Sequence, residues 1–525
     1  MSTPFVPYAT TYAPHGMVCS VDHLASSAGI GVLRDGGTAV DAAIAASAVL
    51  AVTTQHMCGM GGDLFALVHT GSTDAPDCVY AAGRAPSGAS TTALRAEGHV
   101  TMPFRDHLGP VTVPGCIDGW ITLHERHGRL GLDRVLADAV ELADEGFPAS
   151  VFSVFMIDQI RHVPGADAYL DVRAVGDRVR RSAVAAHLRA IVEDGRDGWY
   201  LGAFGEALLD LGGGLFTADD LTQSQAEWVA PLGLDVFGHH AWTVPPVSQG
   251  YLSLAGCWIA ERTDLGTDPN VGRWAHLMAE SARVTGHDRP DVLFDGADGA
   301  ALLAEDRLRR HLALIDPDVR TEVPELHRDG GTIHLATADR DGMAVSLIQS
   351  NASGWGAHLI AAEVFLHNRG NAFVLDDDHP AAYAPGRRPP HTLSPALVTN
   401  TDGSLRAVLG TMGGDSQPQI IQQLLTRLLH HGQDPAAVVA APRVLLSGGT
   451  TGFDLWAGEG PTTTKVEAHA PPAWAEGLAN RGHVVETEPA FSSGAGHAHV
   501  IEVTPSGGWR GASDPRAYTG SASGH

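Results

Sequence analysis

The sequence predicts a mixed α/β fold, and three observations carry that prediction. An alanine-rich stretch with the length of a buried helix, 40–54, is followed at once by a short apolar strand-like run, 64–69, and the same interleaving recurs along the chain. No internal repeat or low-complexity tract interrupts it. With 44% hydrophobic and 18% charged residues, the composition is that of an ordinary globular enzyme. On length alone, 525 residues could hold two to four domains.

In chain order, helical patterns are expected at 119–127, 132–145 and 183–193. A strand at 236–245 leads into a helix at 252–261. Beyond residue 332 strands dominate at first, then a helix near 417–430, and late strands at 484–486 and 499–503. In the Gly/Ser-rich tail, 507–525, Asp514-Pro515-Arg516 is expected to be ordered and Thr519 onward frayed.

The junction at Gly330-Gly331-Thr332-Ile333-His334 is the feature that points to chemistry. Upstream, 316–329 is polar and charged and carries two prolines, as suits an exposed, cleavable connection. Downstream, 332–338 and 343–350 read as strands joined by Asp339-Arg340-Asp341-Gly342, a hairpin. By composition alone Thr332 is a β-branched strand former. If the Gly331-Thr332 bond breaks, however, a free α-amine stands beside the threonine hydroxyl, and one residue supplies both nucleophile and base. Glycine before that bond gives the backbone the freedom such an attack needs.

Acyl chemistry also needs donors for an oxyanion. Gly410-Thr411-Met412-Gly413-Gly414-Asp415 lies between the apolar run Ala407-Val408-Leu409 and a helical pattern through Ile420, Ile421, Leu424, Leu425 and Leu428, so it reads as a strand-to-helix turn with exposed N–H groups. A turn with no ligand fits it as well. Two polar clusters, Asn368-Arg369-Gly370-Asn371-Ala372-Phe373 and Arg387-Arg388-Pro389-Pro390-His391-Thr392-Leu393-Ser394-Pro395, have the character of substrate-binding loops, with a structural role for their arginines and prolines as the alternative.

A net charge of −26 with no basic tract argues against nucleic acid as a partner. The 28 histidines show no HExxH pattern and no evident ligand set, so no metal and no cofactor is expected. Five scattered cysteines imply neither a disulfide scaffold nor a zinc site. Residues 1–17 lack the features of a secretory signal, and 42–52 is too short to span a bilayer, so a cytoplasmic protein without membrane contact is expected.

Taken in order, these segments resemble the γ-glutamyltransferase family of N-terminal-nucleophile hydrolases, which cut themselves into a large and a small subunit. The likeness extends through His23-Leu24-Ala25-Ser26, Gly36-Gly37-Thr38-Ala39-Val40-Asp41, Gly59-Met60-Gly61-Gly62-Asp63, Val113-Pro114-Gly115, Glu145-Gly146-Phe147, Asp219-Asp220-Leu221, Pro245-Pro246 and Asp514-Pro515-Arg516. It implies a four-layer αββα sandwich, one intertwined unit cut into 1–331 and 332–525. Carried over, it makes Thr332 the nucleophile for both cleavage and turnover, Gly413 and Gly414 the oxyanion pair, and Ser350 the second hydroxyl beside the nucleophile. The implied partners are a small-molecule amide, water or an amine as acceptor, and the precursor's own two subunits, with a homodimer of the processed form possible.

The departures from the family's pattern cluster where a γ-glutamyl group would be held. Glutathione-active members carry an acid shortly before the phenylalanine at Phe373; this chain has Gly370-Asn371-Ala372. They carry two serines where His391-Thr392 stands, and an arginine at the position of Ala82, with Arg84 the nearest substitute. The chain is more similar to a divergent branch that includes an oxamate amidohydrolase. Arg369 is then the first candidate for a substrate carboxylate, with a structural ion pair as the alternative. His391, Thr392, Arg84, Asn351 and Asn368 are further candidate contacts, His391 being either a ligand or a packed core group. Three functions follow: a γ-glutamyl-type amidohydrolase or acyltransferase; a hydrolase of oxamate, another small oxo-acid amide or a biosynthetic C–N or C–C bond; and a non-catalytic homologue.

Overall fold

The computed structural model describes residues 8–323, 331–447 and 462–525. Two seven-stranded antiparallel sheets stack face to face. One runs Ser521–Gly524, Met17–Ser20, Gly331–Ala338, Met343–Ala352, Asp63–Thr70, Asp77–Ala81, Glu227–Val229. The other runs Thr11–Ala13, Trp509–Ser513, Ala498–Val503, Leu405–Thr411, Ala396–Thr399, His239–Thr243, Leu232–Val236. Both sheets draw strands from each side of the Gly331-Thr332 junction.

Strand alternation sorts the side chains into layers. Phe65, Ile348, Leu397, Val408 and Ile501 fill the space between the sheets. Ile333, Leu335, Val345 and Leu347 face outward onto the helices His23–Arg34 and Ala39–Thr53. On the far side, Val398, Leu409 and Val500 meet the helices Tyr251–Glu261 and Gln417–Leu425. The result is the four-layer αββα sandwich. The helix Ala39–Thr53 is buried along its whole length because alanine leaves room for neighbours on every side, and Thr38 and Asp41 close its start as a capping box. Among the described residues, no helix is long and apolar enough to cross a membrane.

Several expectations change. The tail beyond Thr519 is not frayed: Ser521–Gly524 is an edge strand paired with Met17–Ser20, and the Thr519 hydroxyl donates to the Val21 carbonyl. The expected strand at 236–245 is present but shorter, His239–Thr243, because Phe237 and Gly238 both take positive φ, 49° and 74°, and turn a hairpin corner between Val236 and its partner His239. The helix expected at 132–145 breaks at Leu136 into Leu132–Val135 and Ala137–Glu145. The helix near 417–430 is α-helical to Leu425 and finishes in a π turn, Thr426–His430. Helix Gly272–Gly286, for which the sequence raised no expectation, carries His276, Glu280 and Arg283 among its buried residues. The expected cleavable connection lies, from residue 324 on, outside the described residues.

Many histidines are enclosed in this core. Burial foremost pushes His56 and His497 down to about 3 and His391 and His499 down to about 4, and holds His334 well below the usual imidazole range. These folded values lie below the unfolded value of roughly 6.5. Their contribution to stability is therefore complete above pH ~6.5 and is lost as pH falls toward 4 and 3, since the unfolded chain takes up protons that the folded chain refuses. The thermal midpoint is expected to be lower at pH 5 than at pH 7.5, by an amount on the order of several degrees. A flat midpoint over that range in a calorimetric pH series would contradict it.

Candidate active site

Thr332 is the second residue of strand Gly331–Ala338 and is fully buried. Its neighbours Ile333 and Leu335 take the helix-facing side and Ala336 and Ala338 the inter-sheet side, which assigns Thr332 and His334 to the space between the sheets. Pairing with Met343–Ala352 jumps from Ile333↔Gln349 to Gly331↔Ala352, so Ser350 and Asn351 both stand opposite the single Thr332. This β-bulge re-aims the side chains at that end of the ladder. The Thr332 and Ser350 hydroxyl oxygens lie 3.1 Å apart.

Ser350 is held from several directions. Ala352 turns at φ 69° and its N–H donates to the Ser350 hydroxyl at 2.8 Å. Arg369 Nη2 donates to the same oxygen at 3.1 Å. Below it, the backbone of Gly62 approaches so closely that a Cβ there would lie 2.2 Å from the Ser350 carbonyl oxygen, which explains glycine in the Gly61-Gly62-Asp63 turn.

Asp63, the residue after that turn and paired across the sheet with Ser350, is fully buried. One of its oxygens, Oδ2, takes Arg369 Nε at 2.7 Å and His391 Nε2 at 3.1 Å, with His367 Nδ1 at 3.4 Å. Burial opposes the charge of this carboxylate, but Arg369 and the two histidines outweigh it and hold the group well below the usual carboxylate range. The other oxygen, Oδ1, has no hydrogen-bond partner among the described residues. Arg369 also donates from Nη1 to the Thr392 hydroxyl at 3.0 Å. Three of its five N–H groups are thus engaged, and one remains on each Nη.

The glycine turn reaches this end of the sandwich on strand Leu405–Thr411. His334 Nε2 meets the Ser346 hydroxyl at 3.1 Å, and that hydroxyl donates to the Leu409 carbonyl at 2.9 Å, tying the strand of Thr332 to the facing sheet. Gly410 is pressed against the same ring, its absent Cβ only 2.5 Å from His334 Cδ2. Three residues on, Gly413 takes φ 145°, a conformation side chains rarely adopt, and Gly414 takes φ 53° before the helical turns begin. Gln249 links two loops by donating from Nε2 to the carbonyls of Thr392, at 3.2 Å, and Gly414, at 3.0 Å.

Of the residues singled out in the sequence, Ser350, Arg369, His391 and Thr392 form one connected network that Thr332 joins. The others are engaged elsewhere. Arg84 pairs with Glu227 at 2.5 Å and donates to the Gly386 carbonyl. Asn368 accepts from the Ser353 N–H and hydroxyl and donates to the Phe104 carbonyl, so it fastens loops. Asn351 donates to the Gln55 carbonyl. His391 is a packed group: Nδ1 accepts the Leu393 N–H, Nε2 donates to Asp63, and the ring lies 4.3 Å from that of Phe65. Asp63 stood in the sequence only as the end of the Gly59-Met60-Gly61-Gly62-Asp63 turn, with no role attached to it, and Gln249 carried no signal. Among groups able to ligate a metal, His276, Glu280 and His483 are all buried, but the two rings already hydrogen-bond each other at 2.9 Å and Arg283 sits 3.3 Å from the carboxylate. That arrangement suits a neutral hydrogen-bonded pair beside an ion pair rather than a cation site.

The gamma-glutamyltranspeptidase family model matches residues 25–524. The chain is 33% identical to an oxamate amidohydrolase proenzyme of Klebsiella pneumoniae, over 99% of this chain and 100% of that protein. It is also 33% identical to a glutathione hydrolase-like proenzyme of Bacillus subtilis, over 95% of this chain and 97% of that protein. Among solved structures, a cephalosporin acylase from Bacillus halodurans superposes with a TM-score of 0.89 at 28% identity, covering 100% of this chain and 98% of that one. With the match spanning nearly the whole chain and the fold agreeing, this protein belongs to the γ-glutamyltranspeptidase family and is an enzyme of the N-terminal-nucleophile class that hydrolyses amide bonds.

Proposed function

We propose that Thr332 is the nucleophile of an autoprocessing amidohydrolase, and the observation that carries this is its hydroxyl, buried at the junction and 3.1 Å from that of Ser350. In maturation, Thr332 Oγ attacks the Gly331 carbonyl, the Gly331-Thr332 C–N bond breaks, and water hydrolyses the resulting ester. This leaves a large subunit ending at Gly331 and a small subunit whose first residue is Thr332. In turnover the new α-amine accepts the Oγ proton as Oγ attacks the substrate amide carbonyl. The N–H groups of Gly413 and Gly414 receive the oxyanion, aided by the positive end of the helix that follows. The leaving amine departs with a proton, and water, or an amine in transfer, releases the acyl group.

The acyl group that fits best is small and carries no ammonium. Where glutathione-active relatives place an acid, this chain has Asn371-Ala372, so no carboxylate stands in that stretch to pair with a substrate ammonium. An oxamate-type amide is therefore preferred over a γ-glutamyl amide, which stays the second reading because family members with that substrate match most of the chain. Five buried, unpaired cysteines suit a reducing, cytoplasmic setting, and a homodimer of the processed form is part of the same proposal. The test measures kcat/KM of the matured protein for oxamate and for γ-glutamyl-p-nitroanilide. Oxamate is expected to lead by roughly 10-fold or more, the worth of one unpaired buried charge; turnover of the anilide alone would overturn the preference.

A further inference from the structure

We propose that Asp63 and Arg369 are a positioning pair whose task is to aim the Ser350 hydroxyl at Thr332. The inference rests on the reading of Thr332 as nucleophile and adds a chain of contact reaching 269 residues back along the sequence, from position 332 to position 63. The guanidinium is planar and its N–H groups diverge at fixed angles, so one firmly held edge sets the others. Asp63 Oδ2 holds that edge at Nε, 2.7 Å away, and is itself fixed by His391 and His367. The plane thus oriented delivers Nη2 to Ser350 and Nη1 to Thr392.

The consequence for Ser350 is positional. Its hydroxyl oxygen accepts the Ala352 N–H at 2.8 Å and Arg369 Nη2 at 3.1 Å, and it lies 3.1 Å from Thr332 Oγ1. Two donors from different segments fix where that oxygen stands, and so the side from which it meets the nucleophile. Two buried N–H donors, one of them cationic, also make the Ser350 proton a better donor to the alkoxide that develops on Oγ.

The pair also explains why a cation can sit so near a nucleophile without a substrate charge to balance it. Asp63 neutralises Arg369 inside the protein, both being almost wholly buried. Removing one partner alone would leave a buried charge unpaired and endanger the fold, so conservative variants are the right probes. Arg369→Lys keeps the charge but cannot hold Asp63, Thr392 and Ser350 with one rigid plane.

The experiment compares Arg369→Lys, Asp63→Asn, Ser350→Ala and the double variant Arg369→Lys/Ser350→Ala. It reads the fraction matured, kcat and KM on the best substrate found, and thermal midpoints to certify folding. Arg369→Lys is expected to lower kcat by roughly 10²-fold, the scale of a misplaced reacting group, with KM within about 3-fold. In the double variant the lysine should add less than about 3-fold to the loss from Ser350→Ala, because the arginine acts through that hydroxyl. A rise in KM at unchanged kcat, or losses that multiply in the double variant, would overturn the proposal and leave Arg369 as a direct substrate contact. Thr332→Ala, run alongside, keeps the two readings separate: if it blocks cleavage while Arg369→Lys leaves kcat untouched, the positioning pair fails and the nucleophile stands.

Discussion

Thr332→Ala yields an uncleaved single chain and loses turnover by at least ~10⁴-fold, the scale seen when a covalent nucleophile is removed from its hydrolase. One oxygen atom carries both effects, since the same Oγ attacks the Gly331 carbonyl in maturation and the substrate in catalysis. The fold should survive, because alanine leaves only a small space where the buried hydroxyl met Ser350. Thr332→Ser is the companion variant, expected to mature, with altered rate, since it keeps the hydroxyl and loses only the methyl group. Intact mass and N-terminal sequencing give the answer. A small fragment beginning at Thr332 in the wild type and absent from Thr332→Ala is the expected result; normal maturation of the alanine variant would remove Thr332 from the mechanism.

Gly413→Ala is expected to lower kcat by roughly 10²–10³-fold with little change in KM, the signature of a damaged oxyanion site. The argument begins with the backbone. At φ 145° an alanine is strained, at a cost on the order of 1–3 kcal/mol, and its Cβ would stand 3.0 Å from Ile420 Cδ1. Relief comes by rotating the peptide, which turns the N–H groups of residues 413 and 414 away from a common point. A steady-state comparison on folded, matured protein checks this, and a variant with unchanged kcat would show that these N–H groups face no developing charge.

The hairpin around Asp339-Gly342, the glycine turn before Gln417 and the buried helix at Ala39–Thr53 were legible in the sequence because each depends on a short window: alternation, turn residues and a run of small apolar side chains. Resemblance in motif order carried the αββα layering, which no single window holds. Residues 519–525 were misjudged because Ser521–Gly524 has a weak strand signal of its own and is ordered by Met17–Ser20, about five hundred positions away.

The chain alone therefore determined its family, and it singled out the Gly331-Thr332 bond and the Thr332 hydroxyl as the place to test. What only the tertiary structure decided is how the surrounding charges are used. Arg369, read in the sequence as a cation facing substrate, shares Asp63 with His391 and reaches Ser350. Those contacts join segments from four parts of the chain, and hydrogen bonds depend on distance and angle in space rather than on spacing along the backbone. A motif can state which groups are present; the stacking of two sheets sets which donor meets which acceptor.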